Sequence, residues 1–459
     1  MPKEELEAAQ QYFECVPSKK LVIRSIGTLI LTINFYPCFA PKTPPFRRGM
    51  QALGKINLDL SQLLDIISLM KRTFKYKLAP TKQQILLLEE IFSTCRSLYN
   101  AALEERITGY HKGKTISYKS QAAQLPEIRS SLNLQKLIYS QVLQQVLKQN
   151  DLAFQNFFQG RKAGRETGFP RYKGRYRSFS ICFPQPDPLL IAKRGVNILP
   201  GSSPKNVKLE IFGVGKVKMI QHRPLLGRCK QVRIKKEADG YYALFACEGV
   251  PPELLPLTGK EVGVDLGISH FLTLDDGTQF HHPRAYRTSK EVLAEKNRRL
   301  ALKQRGSQNR RKALQALQRA HQKVSRVRED FQHKLSKKLI SEYDRISVEK
   351  LNIQEMLSQP ESGVKKENIA DASWATFVAL LKYKAEKAGK EVVEVDPRNS
   401  SKACYYCGLI KQDLSLKERT YACQNCGSGM DRDHNAAKNV KWRGSLLVSG
   451  HSPRQKLSL

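Results

Sequence analysis

Asp265, Glu349 and Asp433 are three acids in settings that are hard to explain as surface decoration. Asp265 ends the apolar run Val262-Gly263-Val264, which reads as a buried strand, and a charge there is costly unless something neutralises it. Glu349 closes a second such run, Ile346-Ser347-Val348. Asp433 stands just before Asn435-Ala436-Ala437, where Asn435 is expected to cap a helix whose first turn holds the two alanines. Asp431 competes for the same role, and Asp433 is preferred because it lies nearer the expected cap. Singly, each acid reads as an ordinary surface carboxylate. Three acids from three elements can instead hold magnesium, which takes hard oxygen ligands and leaves positions for water and phosphate. Two such ions about 4 Å apart can activate a water and stabilise the leaving oxygen of a phosphodiester.

Cys404-x2-Cys407 and Cys423-x2-Cys426 carry the more specific signal, since two such pairs at this separation are spaced as the ligands of one structural zinc. Gly408 and Gly427 each follow a pair and give the chain the turn freedom a zinc knuckle needs. Two disulfides are the alternative, disfavoured because the chain shows no secretion signal and is too long to need staples. Cys15, Cys38, Cys95, Cys182, Cys229 and Cys247 are scattered singly and read as buried apolar residues.

The elements that must position these groups belong to a chain of 459 residues, enough for two to four domains. Its 78 Lys and Arg against 42 Asp and Glu leave a formal charge of +36, which implies a polyanionic partner, most simply nucleic acid. A membrane surface is the rival, but no basic amphipathic anchor stands out. Between Glu295 and Glu329 there is no acid, while Lys296, Arg298, Arg299, Lys303, Arg305, Arg310, Arg311, Lys312, Arg319, Lys323, Arg326 and Arg328 are basic. The stretch reads as two helices broken near Gly306-Ser307 and suited to phosphate contact.

Upstream, Thr81-x-x-Gln84 is a capping box opening a helix with Ile85, Leu88, Phe92, Cys95, Tyr99 and Ala102 on one face. A second helix is expected from about Leu134 to Phe158. In the segment from Gly168 to Phe179, Arg171, Lys173 and Arg175 alternate with aromatic residues, a pattern that can stack on bases while holding phosphates and equally fits a basic-edged strand pair. From Ser180 to Glu248, short β-rich runs read as a small barrel.

In order and placement, Gly263-Val264-Asp265-Leu266-Gly267, Ser347-Val348-Glu349-Lys350-Leu351, the paired cysteines and Asp431-Arg432-Asp433-x-Asn435-Ala436-Ala437 resemble the motifs of TnpB proteins. These are RNA-guided nucleases of insertion sequences, related to compact type V CRISPR effectors. The resemblance runs from Met70 to about Trp442 and takes in Gly168-x-Pro170-Arg171-Tyr172-Lys173, Ser373-Trp374 and Ser400-Ser401-x-x-Cys404. It implies an α+β multidomain protein with an RNase H-like RuvC nuclease domain and an inserted zinc ribbon, preceded by a β-barrel wedge domain and a helical recognition lobe. Asp265, Glu349 and Asp433 match the catalytic acids, which bind magnesium, two ions expected. The four cysteines match the ligands of one structural zinc. The partners implied are a guide RNA from the transposon end and double-stranded target DNA, so that base pairing carries the sequence and a generic basic channel suffices.

The expected organisation is a first wedge strand at 70–80, helical lobe 81–163, barrel 164–256, nuclease domain 257–401 with basic helices 284–342, ribbon 402–428 and a last nuclease segment 429–443. Residues 1–69 lie outside the resemblance and read as sequence upstream of a misplaced start, or as a true extension; 444–459 read as a disordered tail. The run Leu21–Ala40 is marginal as a membrane anchor, because Arg24 interrupts it and Pro37 and Pro41 break its end. A monomer in the prokaryotic cytoplasm is expected. Two other functions fit the same features: a guided DNA-binding protein that no longer cleaves, and a structure-specific nuclease or transposase without a guide.

Overall fold

The protein is described by a computed structural model over residues 71–174, 179–184, 195–199, 201, 206–352, 367, 371–414 and 418–449; Arg175, the expected 1–69 extension and the end of the expected tail lie outside these. Strand β1 (Arg72–Ala79) alternates strictly, burying Phe74, Tyr76 and Leu78 and exposing the lysines between them. This two-faced pattern seats it inside a seven-stranded antiparallel sheet with β2 (Ser180–Pro184), β3 (Val196–Leu199), β4 (Lys208–Ile211), β5 (Gly215–Ile220), β6 (Arg228–Glu237) and β7 (Gly240–Glu248). The order is β2-β6-β7-β1-β5-β4-β3, so β1 lies between two hairpins formed more than a hundred residues later in the chain. The sheet is nearly closed and falls short of the expected full barrel: no ladder joins its end strands β2 and β3 among the described residues.

Thr81 and Gln84 make the expected capping box, each accepting from the other's backbone N–H, and helix α1 (Lys82–His111) follows. Leu88, Phe92, Cys95, Tyr99 and Ala102 are buried as expected, whereas Ile85 in the first turn stays exposed. Short helices α2 (Tyr118–Ala123) and α3 (Leu125–Ser131) lead to α4 (Ser140–Lys162), which begins six residues later than its apolar pattern suggests. Asn133 takes a positive φ of 50° and Tyr139 is extended, so Leu134 packs from a turn. Helices α1 and α4 share one continuous core with the seven-stranded sheet, so the expected lobe and barrel are fused by packing.

The second sheet has five strands in the order β10-β9-β8-β11-β12: β8 (Glu261–Asp265), β9 (Leu272–Leu274), β10 (Gln279–Phe280), β11 (Arg345–Glu349) and β12 (Glu391–Val395). Strands β8, β9 and β10 are antiparallel neighbours, and β8, β11 and β12 run parallel. Helices α5 (Ala285–Ala301) and α6 (Gln308–Glu342) divide at Gly306-Ser307 as expected, Ser307 capping α6 by accepting from Arg310 N. Helix α7 (Trp374–Ala388) packs on α6, burying Trp374, Phe377 and Leu381. The last helix, α8 (Arg432–Ser449), lies across β8 and β11, with the hairpin β13 (Thr420–Ala422) and β14 (Gly429–Asp431) leading into it.

Two glycines make this last contact possible. A Cβ on Gly263 would stand 2.1 Å from the carbonyl oxygen of Ala437, and one on Gly444 would stand 1.9 Å from Ser347 Oγ. Ion pairs and hydrogen bonds tie the two sheet units together: Arg326 of α6 meets Asp239 at 2.9 Å in the β6–β7 turn, Gln322 donates to Glu237 and Asp239, and Glu253 pairs with Arg72 of β1 and Lys387 of α7. Among the described residues no helix is long and apolar enough to cross a membrane.

Gly263→Ala forces α8 off the sheet, because the obstructing atoms are backbone. It should cost about 3 kcal/mol of stability by overpacking, read as a lowered urea midpoint.

Candidate active site and metal centre

The parallel register of β8 and β11 sets Ile346 beside Val262 and Val348 beside Val264. One more step puts Asp265 and Glu349 level at the carboxyl ends of adjacent strands, where the chain leaves the sheet. The third acid comes from α8. Asp433 lies in its first turn, and its Oδ2 stands 4.0 Å from a Cβ built on Gly267, just past Asp265. Three elements distant in sequence thus deliver the three expected acids to one edge of the sheet.

Their electrostatics are unfavourable as they stand. Burial, then the charges of Glu349 and Asp433, hold the Asp265 carboxyl well above the usual carboxylate range. Glu349 is buried, which raises its carboxyl although Ser400 and Arg443 pull the other way, and its Oε1 has no hydrogen-bond partner. An orphaned carboxylate oxygen beside a crowded acid is what a divalent cation would relieve, and an all-oxygen donor set suits magnesium. The three acids are nevertheless not drawn together as the cysteines are. Asp433 is turned toward His270 Nδ1 at 3.8 Å and Arg419 Nη1 at 3.7 Å.

The helix start differs from the sequence reading. Helix α8 opens at Arg432, and the capping side chain is Asp431, whose Oδ1 accepts from the N–H groups of Asp433 and His434. Asn435, expected as the cap, is fully buried one turn in. Its Oδ1 accepts from Tyr405 N and its Nδ2 donates to Ala403 O, while Asn439 Nδ2 donates to the carbonyls of Ser400 and Ala403. The Asn pair therefore straps the helix of the third acid to the backbone on both sides of Cys404.

Cys404, Cys407, Cys423 and Cys426 bring their Sγ atoms within 4.8 Å of one another. Cys404 and Cys426 are 3.7 Å apart and Cys407 and Cys423 3.5 Å, too far for disulfides. Sulfurs about 2.3 Å from a shared tetrahedral zinc would be about 3.8 Å apart, so the cluster fits the ion. The two halves match: Gly408 N donates to Cys404 O and Gly427 N to Cys423 O, and both glycines have positive φ. Hydrogen bonds from Ser428 push the Cys426 thiol down to about 6, toward the ligating thiolate.

The expected nucleic-acid contacts divide into two kinds. Arg298 and Arg299 pair with Glu295 in their own helix, and Arg310 donates to the carbonyls of Leu300 and Lys303, closing the α5–α6 turn. Lys173 lies against α1, with its N–H on Asn100 and its ammonium 5.1 Å from the Tyr99 ring. Arg171, Arg305, Arg311 and Lys312 are exposed. No local pattern singles out His270, Arg419 or Arg443, which reach the acids only through the fold, whereas Ser400 belongs to the Ser400-Ser401-x-x-Cys404 motif.

A family profile described as a probable transposase matches residues 244–359, a helix-turn-helix profile of the same group matches 70–115, and a profile of the Cas12f1-like TNB domain matches 374–440. Over residues 71–115 the structure has β1 and the single 30-residue helix α1. A candidate RNA-guided DNA endonuclease of Streptomyces pristinaespiralis is 31% identical over 84% of this chain and 94% of its own. The InsQ protein of Escherichia coli K12, named likewise, is 28% identical over 83% and 94%. The cryo-EM structure of a Cas12f1–sgRNA–target DNA complex superposes with a TM-score of 0.50 at 15% identity, covering 78% of this chain and 82% of that one. The fold is thus the compact α+β architecture of Cas12-type effectors.

Two outcomes follow from the charges. With their folded-state pKa values raised, Asp265 and Glu349 weaken the native state as pH climbs above the ordinary carboxylate range and not below it. Asp265→Asn should therefore raise Tm at pH 8 without added divalent metal, with the gain narrowing toward pH 4. Cys404→Ser should release zinc, measured by elemental analysis, and lower Tm by loosening the strap to α8.

Proposed function

Because the chain belongs to the TnpB family, we propose that it is an RNA-guided DNA endonuclease of a transposable element, with Asp265, Glu349 and Asp433 as the acids that hold magnesium. The observation carrying the site assignment is the convergence of the three acids on the carboxyl edge of β8 and β11, with one Glu349 oxygen left without a partner. The sheet order supports an RNase H-like, RuvC-type reading of this unit, three antiparallel strands continued by two parallel ones.

On this reading residues 257–401 and 429–443 are the nuclease domain and 402–428 its zinc ribbon, 81–163 the recognition lobe, and 70–80 with 164–256 the wedge. Two magnesium ions, when bound, would supply a water nucleophile and charge stabilisation at the scissile phosphodiester. The chain's own part is to hold three carboxylates in one orientation. Strands β8 and β11 fix Asp265 and Glu349 by register, and the Asn435–Asn439 strap fixes the helix of Asp433. The four-cysteine cluster would take one structural zinc and stiffen that strap. Exposed Arg171, Arg305, Arg311 and Lys312 provide phosphate contacts for a guide RNA and its DNA target. The protein would act as a monomer in a prokaryotic cytoplasm.

The test begins with purification from cells carrying the element's own downstream DNA and sequencing of the RNA that copurifies. One discrete RNA from the element end is expected, and no defined RNA overturns guidance. With that RNA, Asp265→Ala should abolish cleavage in magnesium, by at least about a thousandfold, while target binding stays within about twofold. Normal cutting by the variant overturns the assignment. Binding should also weaken steeply between about 50 and 200 mM salt.

A further inference from the structure

The loop joining β8 to β9 is folded tightly beside the acids. Gly267 N donates to Phe271 O, and fully buried Phe271 is wedged edge-on between Phe331 and Phe377, each about 5.0 Å away between ring centres. That anchor leaves His270 little freedom. Its Nδ1 is shut off from solvent and has no hydrogen-bond partner, yet it faces Asp433 Oδ2 at 3.8 Å. The ring of His281 packs against that of His270, 5.1 Å away between ring centres. Asp433's other oxygen faces Arg419, whose Nη2 donates to Ser269, the neighbour of His270.

We propose that His270 is a positioning residue for Asp433: an imidazole N–H at Nδ1 is directed at Oδ2 and holds that carboxylate at the edge of the sheet where, with the other two acids, it would meet a divalent metal. The inference rests on the reading of Asp433 as a metal ligand. Its physical basis is that a carboxylate in the first turn of a helix can rotate, and a ligand that must be oriented on each binding event binds more weakly than one already held. A buried nitrogen kept from water is costly unless it finds an acceptor, and Asp433 is the acceptor in reach. The loop turns back at Gly267, where an added Cβ would stand 3.1 Å from His270 O and 4.0 Å from Asp433 Oδ2.

The full chain with its copurified RNA is compared as wild type, His270→Asn, His270→Phe and Asp265→Asn. Asparagine places an amide N–H close to where Nδ1 stands, whereas phenylalanine keeps the flat ring without a donor. Manganese binding is followed by the electron paramagnetic resonance of free Mn2+, and cleavage as a function of Mn2+ concentration on the same samples. His270→Phe should weaken Mn2+ binding and raise the half-maximal Mn2+ concentration by about tenfold, with target affinity before Mn2+ addition and zinc content unchanged. His270→Asn should restore most of the loss. Wild-type Mn2+ binding in His270→Phe overturns the proposal, as does an equal deficit in both variants, which would assign the effect to packing. Asp265→Asn distinguishes the underlying reading: if it binds Mn2+ and cuts like wild type, the acids are not the metal site.

Discussion

The close approach of the last helix to the five-stranded sheet is the constraint on which the site depends. Two positions without a Cβ, Gly263 on the central strand and Gly444 on the helix, let backbone meet backbone or a short serine. Only at that distance can an acid in the helix's first turn share an edge with acids from two strands. The four-cysteine segment reinforces the approach from outside, because Asn435 and Asn439 bind the chain on both sides of Cys404 and fix the helix lengthwise. Cysteine-cluster geometry and acid placement are therefore mechanically coupled, although one group offers sulfur and the other oxygen.

The same packing brings carboxylates together at a cost. Asp265 is raised by burial and by its acidic neighbours, and Glu349 keeps an oxygen unpaired. Elsewhere the protein treats its buried and half-buried acids differently. Asp371 accepts from Tyr286 N and pairs with Arg328, and Asp344 accepts from the N–H groups of Thr258 and Gly259 and pairs with Lys390. The contrast separates acids paired to hold the fold from a crowded group in which one carboxylate oxygen is left orphaned, and it is the latter kind that a site for cations uses.

The basic excess also serves two purposes. Part of it is internal glue: Arg326 holds the β6–β7 turn against α6, and Arg310 closes the break between the two basic helices. Salt bridges of this partly exposed kind are individually weak, so their value lies in fixing the relative position of the two sheets. Exposed residues such as Arg305, Arg311 and Lys312 face outward, where phosphate can reach them. An acid-free run of sequence predicts charge, and tertiary contacts decide how much of it remains available.

Some of this was legible in the chain itself, where local rules suffice. The capping box at Thr81, the break at Gly306-Ser307 and the paired cysteines are short-range patterns, and each is present in the structure as expected. The sequence misjudged the start of α4, because turn geometry at Asn133 outweighed apolar spacing, and named Asn435 as a cap although Asp431 takes that place. It had no way to show that a helical lobe and a nearly closed sheet share one core, since that depends on β1 pairing with strands more than a hundred residues away. Nor could it reveal His270 beside Asp433. Periodicity and spacing encode which residues are buried and which can ligate, because those properties are local; which acids meet, and what orients them, is set by strand register and helix approach, which exist only once the chain has folded.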